Sequence, residues 1–337
     1  MSKLLVLDRL DYKKRHDELM RLINESTLQD NDIVYTTYED SLIRWIRNFK
    51  LLGSPLQHLL YWFKSLKYSI KLLKTNADTI YCLNPIVAIF LGLFNRNKRI
   101  IMGGFLFEPK ANKLYYNIRK CITKLSLQGI DKIAVYSSRE VKYYNNIFGN
   151  NKFVFVPYGI DYENSDRYSN KLPNEYFFSG GGSNRDYKTL VEAYNNLEED
   201  VLPLVIATQP WRLNEYDTSK INVLSDVTVE TFGDVMGKSV LLILSLRDGE
   251  ISAGHMVMFQ AMSQGTPILV NDIPAIRDYV DDTMVTFYKS GDIEDLTAKI
   301  RNFKQNRKTY MEKSLIAKRK YDKELTLKHF IQRFMAL

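Results

Sequence analysis

The sequence predicts two α/β domains, each built on a parallel β-sheet with helices on both faces. Short apolar runs alternate with longer amphipathic runs along all 337 residues. This alternation is typical of parallel sheets whose strands are connected by helices. The length suits two domains of ordinary size. A polar stretch, Tyr162–Asn174, interrupts the alternation, so we expect the domain boundary near residue 160.

Each half of the chain supplies its own set of candidate strands and helices. The strands predicted in the first half are Leu4–Leu7, Ile33–Tyr35, Thr79–Leu83, Arg99–Met102, Lys132–Tyr136 and Phe153–Val156, and its helices are Lys13–Ile23, Leu56–Leu73, Lys113–Leu127 and Arg139–Phe148. The strands predicted in the second half are Tyr176–Ser179, Leu204–Ala207, Ile221–Leu224, Val240–Leu246, Ile268–Val270 and Val285–Phe287, and its helices are Tyr187–Asn196, Val227–Met236, Ser252–Ser263 and Asp292–Asn306. Ligands of such domains bind at the carboxyl ends of the strands.

The composition excludes several classes of protein. Hydrophobic residues make up 45% and charged residues 26% of the chain, as in ordinary globular domains. The chain opens on a strand rather than a signal sequence, and its longest apolar run, Pro85–Phe94, is shorter than the roughly 20 residues that span a bilayer. Cys82 and Cys121 show no metal or redox spacing. We therefore expect a cytoplasmic protein with reduced thiols.

A glycine-rich loop follows the first strand of the second half. The segment Ser179–Asp186 reads SGGGSNRD and leads into a helix that Asp186 can cap. Glycines let the backbone approach a ligand closely, and Arg185 offers a fixed charge suited to a diphosphate. The alternative is a flexible turn with a solvated arginine.

A second loop of the same kind follows the apolar run Val240–Leu246 and begins at Asp248. Ser252 is expected to cap the next helix, whose apolar positions, expected in the core, are Met256, Phe259 and Met262. The free N–H groups and the positive dipole end of a helix start attract anions. The two loops together predict a phosphate site.

Both segments resemble the C-terminal domain of GT-B glycosyltransferases of the bacterial family-four type, which move a sugar from a nucleotide sugar to an acceptor. The resemblance rests on SGGGSNRDYKTLVEA and ISAGHMVMFQAMSQGTPILVNDIPAIRDYV, and it covers most of residues 130–337. SSREVKYYNNIFG with VPYGID resembles the end of the family's N-terminal domain, and KELTLKHFIQRF resembles a helix that returns to it. The implied fold is α/β with two Rossmann-like domains facing a cleft: an acceptor-side domain (1–160), a nucleotide-sugar domain (161–320) and the returning helix (321–337).

The resemblance also implies which residues contact the donor. By position in the motifs they are Gly181, Gly182, Arg185, Ser252, Ala253, Gly254, His255 and Gln260. Two of these positions depart from the family pattern, because Ser252 and Gln260 stand where the family has a pair of glutamates, the second of which holds the ribose. Gln260 can still hydrogen-bond ribose hydroxyls, and Asp248 and Glu250 are the acidic residues nearby.

The candidate catalytic residues are Glu108, Glu250 and His255. Glycosyl transfer needs stabilisation of the leaving diphosphate, which Arg185 and the loop amides can supply without a metal or another cofactor. For Glu108 the alternative is a structural role, and for His255 it is packing in the core with one hydrogen bond. The Asp-x-Asp run Asp30–Asp32 precedes its strand, so we interpret it as a turn. The resemblance implies a retaining reaction.

The first half carries the whole positive excess of the chain. Residues 1–165 contain 25 Lys/Arg against 15 Asp/Glu, whereas the remainder contains 22 against 24. No acidic residue lies between Asp40 and Asp78, or within Ala111–Ile130. The predicted helix Leu56–Leu73 carries an apolar stripe (Leu59, Phe63, Leu66, Ile70 and Leu73) flanked by Lys64, Lys67, Lys71 and Lys74, and the tryptophans of this region are Trp45 and Trp62. Basic amphipathic helices with such rings favour an anionic membrane surface; the alternative is that the stripe packs on the sheet.

These observations favour a glycosyltransferase at the inner face of the cell membrane. It would move a sugar, UDP-linked by expectation, to a lipid-linked or other glycan acceptor in cell-surface polysaccharide synthesis. A nucleotide-sugar epimerase or phosphorylase on the same fold is one alternative. A non-catalytic subunit that binds a partner glycosyltransferase is another, motivated by the two missing glutamates. No recognition helix or stacking platform for nucleic acid is evident.

Overall fold

A computed structural model describes residues 2–8, 32–36, 53–109, 112–163, 165–198 and 200–337. The chain forms two compact units. The first comprises Met1–Val156 together with Ile331–Leu337, and the second comprises Pro157–Phe330. Several predicted features lie outside the described residues: the helix Lys13–Ile23, the first two residues of the Asp30–Asp32 run, and Trp45.

The first unit contains a six-stranded sheet with strand order β2-β1-β3-β4-β5-β6, in which all neighbours pair in parallel. Its strands are β1 (Lys3–Leu7), β2 (Ile33–Tyr35), β3 (Thr79–Cys82), β4 (Arg99–Met102), β5 (Lys132–Val135) and β6 (Phe153–Phe155). Its described helices are α1 (Gly53–Leu73), α2 (Pro85–Phe94), α3 (Lys113–Ser126) and α4 (Ser138–Phe148). A parallel order with helical connections is the predicted architecture.

The apolar run Pro85–Phe94 forms α2. The sequence pattern alone predicts no element there. The Asn84 Oδ1 atom caps α2 by accepting from the N–H groups of Ile86 (3.1 Å) and Val87 (3.2 Å), and Pro85 occupies the first helical position. The helix packs between α1 and α3. No helix in the described part of the chain is long and apolar enough to cross a membrane.

Helix α1 turns its predicted apolar stripe outward. The buried face consists of Ser65, Ser69 and Leu72, because the small serines allow close packing and the Ser69 hydroxyl donates to the Val87 carbonyl of α2 at 3.0 Å. Stripe residues Leu59 and Phe63 are 67% and 71% exposed. The alternative that the stripe packs on the sheet is therefore wrong for these residues.

Helix α3 has a comparable outward stripe. Leu114, Ile118 and Leu125 recur at helical spacing and are exposed, whereas Thr123 and Ser126 are buried on the opposite face. Small polar residues again form the packing surface of this helix.

The second unit contains a six-stranded parallel sheet with the order β12-β11-β10-β7-β8-β9. Its strands are β7 (Phe177–Gly180), β8 (Leu204–Ala207), β9 (Ile221–Leu224), β10 (Leu241–Leu244), β11 (Ile268–Asp272) and β12 (Thr286–Lys289). Its helices are α5 (Tyr187–Asn195), α6 (Phe232–Gly237), α7 (His255–Gln264), α8 (Pro274–Arg277), α9 (Ile293–Arg301) and α10 (Phe303–Glu324), and α11 (Leu327–Met335) begins in this unit and ends in the first. The central strands are buried throughout, as strands covered on both faces must be.

Two predicted helices of the second unit differ from the observed ones, and the predicted linker packs on this unit. The prediction Val227–Met236 is wrong in its first half, because Thr228 and Thr231 form a hydrogen-bonded turn before α6 and Val229 is 94% exposed. The prediction Asp292–Asn306 joins two helices, α9 and α10, that meet at Asn302. The predicted linker residues Ser165, Arg167 and Tyr168 hydrogen-bond to Asp234 of α6.

Candidate functional site

The glycine loop between β7 and α5 forms a tight turn that leads directly into the helix. Gly181 has a φ of 101°, a conformation open to glycine and costly for other residues. Its N–H donates to the Ala207 carbonyl of the neighbouring strand β8 at 3.1 Å. Asp186 caps α5, as predicted, by accepting from the Thr189 N–H at 3.2 Å.

Arg185 lies inside this loop rather than in solvent. Its Nε donates to the Gly180 carbonyl and its Nη1 to the Ser183 carbonyl, both at 2.8 Å, and the residue is only 7% exposed. Burial lowers the pKa of this guanidinium; the nearby Tyr187 hydroxyl opposes this effect and the charge of Arg212 adds to it. The solvated-arginine alternative is thus wrong, and contact between Arg185 and a diphosphate stays a prediction.

The loop after β10 reaches its helix later than the sequence predicts. Helix α7 begins at His255, and its N-cap is Gly254, with a φ of 82° and no side-chain cap. Ser252 is therefore not the cap, because the left-handed turn at Gly254 starts the helix two residues later. The first N–H groups of α7 lack an intrahelical partner at this end.

The two loops are joined to each other at the carboxyl ends of neighbouring strands β7 and β10. The Arg247 N–H donates to the Asn184 carbonyl and the Asn184 Nδ2 donates to the Arg247 carbonyl, each at 3.1 Å. The Asp186 N–H donates to the Ser245 carbonyl at 3.0 Å. The structure thus brings together the two segments that the sequence singles out.

His255 is held in the core of the second unit. Its Nε2 lies 2.9 Å from the Ala275 carbonyl oxygen, and its ring packs on Phe259 and Tyr279. Burial lowers the pKa of the imidazole, which favours the neutral ring. This placement agrees with the alternative that His255 packs in the core and makes one hydrogen bond. A catalytic role for His255 stays a prediction.

The predicted core positions of α7 differ in their burial. Phe259 and Met262 are fully buried as predicted, but Met256 is 45% exposed, because it lies in the first turn of the helix on the side away from the sheet. Gln260 is half-buried and faces α6, where its amide lies against Gly233.

The remaining predicted site residues lie in different places. Ser252 and Ala253 are half-buried in the loop before α7, and Glu250 is exposed in the same loop. Glu108 is exposed in the first unit, where its carbonyl accepts from Arg119 at 3.5 Å. Catalytic roles for Glu108 and Glu250 stay predictions.

Arg212 lies at this site although no sequence motif singles it out. This residue ends a short 3-10 turn, Pro210–Arg212, after β8, and a Cβ built on Gly182 would lie 3.1 Å from its Nη2 atom. The position of Arg212 after β8 is a usable sequence signal, because the loop after β8 reaches the same edge of a parallel sheet as the loop after β7. Cations, glycine amides and a helix start at one edge suit an anion. Among the described residues, no cluster of acidic, histidine or cysteine side chains could hold a metal.

No protein-family model matches the sequence, and a search of curated proteins finds no match. Solved structures match along the whole chain. HepE of Anabaena in complex with UDP-glucose has a TM-score of 0.68 at 11% identity, covering 100% of this chain and 98% of its own. The lipopolysaccharide outer core galactosyltransferase WaaB has a TM-score of 0.64 at 14% identity, covering 99% and 98%.

The chain has the GT-B fold. A third match, sucrose-phosphate synthase from Thermosynechococcus elongatus, has a TM-score of 0.64 at 13% identity and covers 82% of this chain and 77% of its own. The predicted fold class is therefore confirmed: two Rossmann-like units with parallel sheets, and a last helix that ends in the first unit. In this GT-B chain the joined loops belong to the second unit.

Proposed function

We propose that this protein is a glycosyltransferase that uses a nucleotide diphosphate sugar, UDP-linked, as its donor. The observation that carries the proposal is the pair of joined loops at the carboxyl ends of β7 and β10, which contain Arg185, the Gly182 amide and the start of α7. The GT-B fold supports it, and HepE, which shares this fold, has been solved with UDP and with UDP-glucose.

The chemistry of this site suits departure of a diphosphate. Charge develops on the leaving phosphates as the glycosidic bond breaks, and fixed donors aimed at that charge lower the barrier. Arg185 supplies a fixed positive charge, because an arginine guanidinium is not deprotonated in proteins. We propose that the reaction is hexosyl transfer with retention at the sugar and needs no metal.

The acceptor is proposed to be a lipid-linked or other glycan of the cell surface, reached from the inner face of the membrane. Helices α1 and α3 support this proposal. Their exposed apolar stripes lie beside lysines, and neither helix contains an acidic residue. An anionic membrane attracts such a surface through both its charge and its apolar interior.

Release of UDP from a panel of UDP-sugars, with a membrane extract as the acceptor source, tests the proposal. We expect slow release from at least one donor and loss of that release in Arg185→Ala. Arg301→Ala, which removes an exposed arginine of α9, is the matched control. NMR of the product anomer tests retention.

One competing function has a specific observation in its favour. Ser252 and Gln260 stand where the family pattern has two glutamates. A non-catalytic subunit that binds a partner glycosyltransferase would not need those glutamates. Binding of UDP without turnover of any donor in the panel would favour that function over catalysis. An epimerase would instead convert one UDP-sugar of the panel into another without release of UDP.

A further inference from the structure

A second arginine, Arg212, lies at the glycine loop, close enough to Arg185 for the two charges to interact. Strand β8 ends at Ala207, and the 3-10 turn Pro210–Arg212 places the Arg212 guanidinium 4.3 Å from the centre of the Trp211 ring. Stacking on an indole face restrains a guanidinium while leaving its N–H groups free to donate. Arg212 is half-buried in this position.

The two guanidinium groups flank consecutive glycines. A Cβ built on Gly181 would lie 2.5 Å from Nη2 of Arg185, and one built on Gly182 would lie 3.1 Å from Nη2 of Arg212. Consecutive Cα atoms lie about 3.8 Å apart, so the two guanidinium groups approach the loop at adjacent residues. Any side chain at either glycine would occupy this space.

Three carbonyl groups of the loop already have hydrogen-bond donors. The Gly180 and Ser183 carbonyls accept from Arg185, and the Gly181 carbonyl accepts from the Tyr187 hydroxyl (2.6 Å) and the Thr208 hydroxyl (3.2 Å). Within the described residues, no acceptor pairs with the N–H of Gly182 or of Ser183. A backbone with bound carbonyls and free amides presents positive potential, as anion-binding nests do.

No acid balances the two charges. In the described part of the chain, neither Arg185 nor Arg212 forms an ion pair with a carboxylate, although both lie close enough to influence each other. Like charges held together in a half-buried site repel, and a bound anion relieves that repulsion.

We propose that Arg212 is a ligand-binding residue for the diphosphate: Arg185 shapes the loop from inside, and Arg212 supplies the accessible charge that distinguishes a diphosphate from a single phosphate. This inference rests on the proposed function. It assigns to Arg212 a role that the motif residues alone do not supply, because two of the three donor groups of Arg185 are already occupied by loop carbonyls.

Calorimetric titration of the full chain with UDP, UMP, uridine and inorganic pyrophosphate tests the proposal. In Arg212→Ala we expect about a tenfold loss of affinity for UDP and pyrophosphate, a smaller loss for UMP and none for uridine. Arg212→Lys should recover part of the loss, and the affinity of Arg212→Ala should depend less steeply on salt concentration. Arg301→Ala is the control, and an unchanged Tm shows that the Arg212 variants fold.

The possible failures are distinguishable. If the wild type binds UDP and Arg212→Ala binds it within twofold, the role of Arg212 is overturned while the proposed function stands. If the wild type binds pyrophosphate through Arg212 but no nucleotide, the anion site is supported and the proposed function fails. If the wild type binds neither UDP nor pyrophosphate, both are overturned.

Discussion

Asn184 and Arg247 hold the two loops of the candidate site together through a reciprocal pair of hydrogen bonds, each 3.1 Å long. Asn184 also has a φ of 55°, the only positive φ among the described non-glycine residues. A residue held in this conformation by its side-chain bond is typical of a functional turn. The proposed donor site should therefore depend on this residue even where Asn184 does not touch the ligand.

Two substitutions of Asn184 separate the contribution of its side-chain hydrogen bond from that of its positive φ. Asn184→Gly loses the amide bond but tolerates the positive φ, whereas Asn184→Ala loses the bond and adds about 1 kcal/mol of backbone strain. We expect UDP affinity to fall several-fold in the glycine variant and further in the alanine variant, measured by calorimetry. Equal affinities in the wild type and both variants would show that the pairing of the loops is irrelevant to the site.

The burial of His255 predicts a pH dependence of stability. The folded-state pKa lies below the unfolded value of 6.5, so protonation favours the unfolded chain. Stability should be fully present above pH 6.5 and decrease as the pH falls below it, by up to about 1.4 kcal/mol per pH unit. Urea unfolding between pH 5 and 8 measures this slope. His255→Gln should reduce the slope, and an identical slope in both proteins would argue against a buried neutral ring.

Gln260 is expected to meet the ribose from its half-buried position beside α6. Gln260→Glu supplies two acceptor oxygens in place of one, so we expect UDP to bind about threefold tighter. The gain should disappear with 2′-deoxy-UDP, which lacks one of the hydroxyls. If Gln260→Glu and Glu250→Ala both leave donor affinity and turnover unchanged, the predicted contacts of this segment are wrong.

Asp234 should stabilise the segment that precedes β7. Its carboxylate accepts from the Ser165 hydroxyl at 2.6 Å and from the Arg167 and Tyr168 N–H groups at 2.7 and 3.0 Å. Burial raises the pKa of Asp234, but these hydrogen bonds outweigh burial and leave the pKa lowered. We expect Asp234→Asn to cost about 1–3 kcal/mol in the free energy of unfolding.

The matched control for Asp234 is Asp166→Asn. The Asp166 side chain is 81% exposed and pairs only with Lys238 among the described residues. An exposed pair of this kind contributes well under about 1 kcal/mol. Urea unfolding at pH 7 compares the two variants, and equal losses would contradict the assigned role of Asp234.

The outward stripe of α1 predicts binding to anionic vesicles. In flotation with phosphatidylcholine vesicles containing phosphatidylglycerol, we expect the wild type to float, and Leu59→Ser with Phe63→Ser to lose most of that binding. Leu315→Ser, which removes a 56% exposed leucine of α10, is the control and should float like the wild type. Failure of the wild type to float with anionic lipid would end the membrane proposal.

Much of the fold could be predicted from local patterns. The strand runs Leu204–Ala207 and Ile221–Leu224 coincide with β8 and β9. Strand β8 is buried along its whole length and is marked by its apolar residues, whereas the edge strand β9 is marked by its branched residues Ile221 and Val223. The start of α7 could not be placed in the same way. Ser252 and Gly254 are both acceptable helix starts, and contact between Gly254 and Leu246, which leaves no room for a Cβ, favours the later one.

The sequence by itself determined the α/β class, the strand positions and the two loops that are predicted to bind an anion, because glycine content, capping residues and apolar runs act over a few neighbouring residues. Only the tertiary structure decided which way side chains turn. Arg185 points into the loop, Arg212 approaches it from the turn after β8, and α1 buries its serines while exposing Phe63. These orientations depend on hydrogen-bond acceptors and packing surfaces supplied by residues distant in the chain, and local sequence patterns do not contain that information.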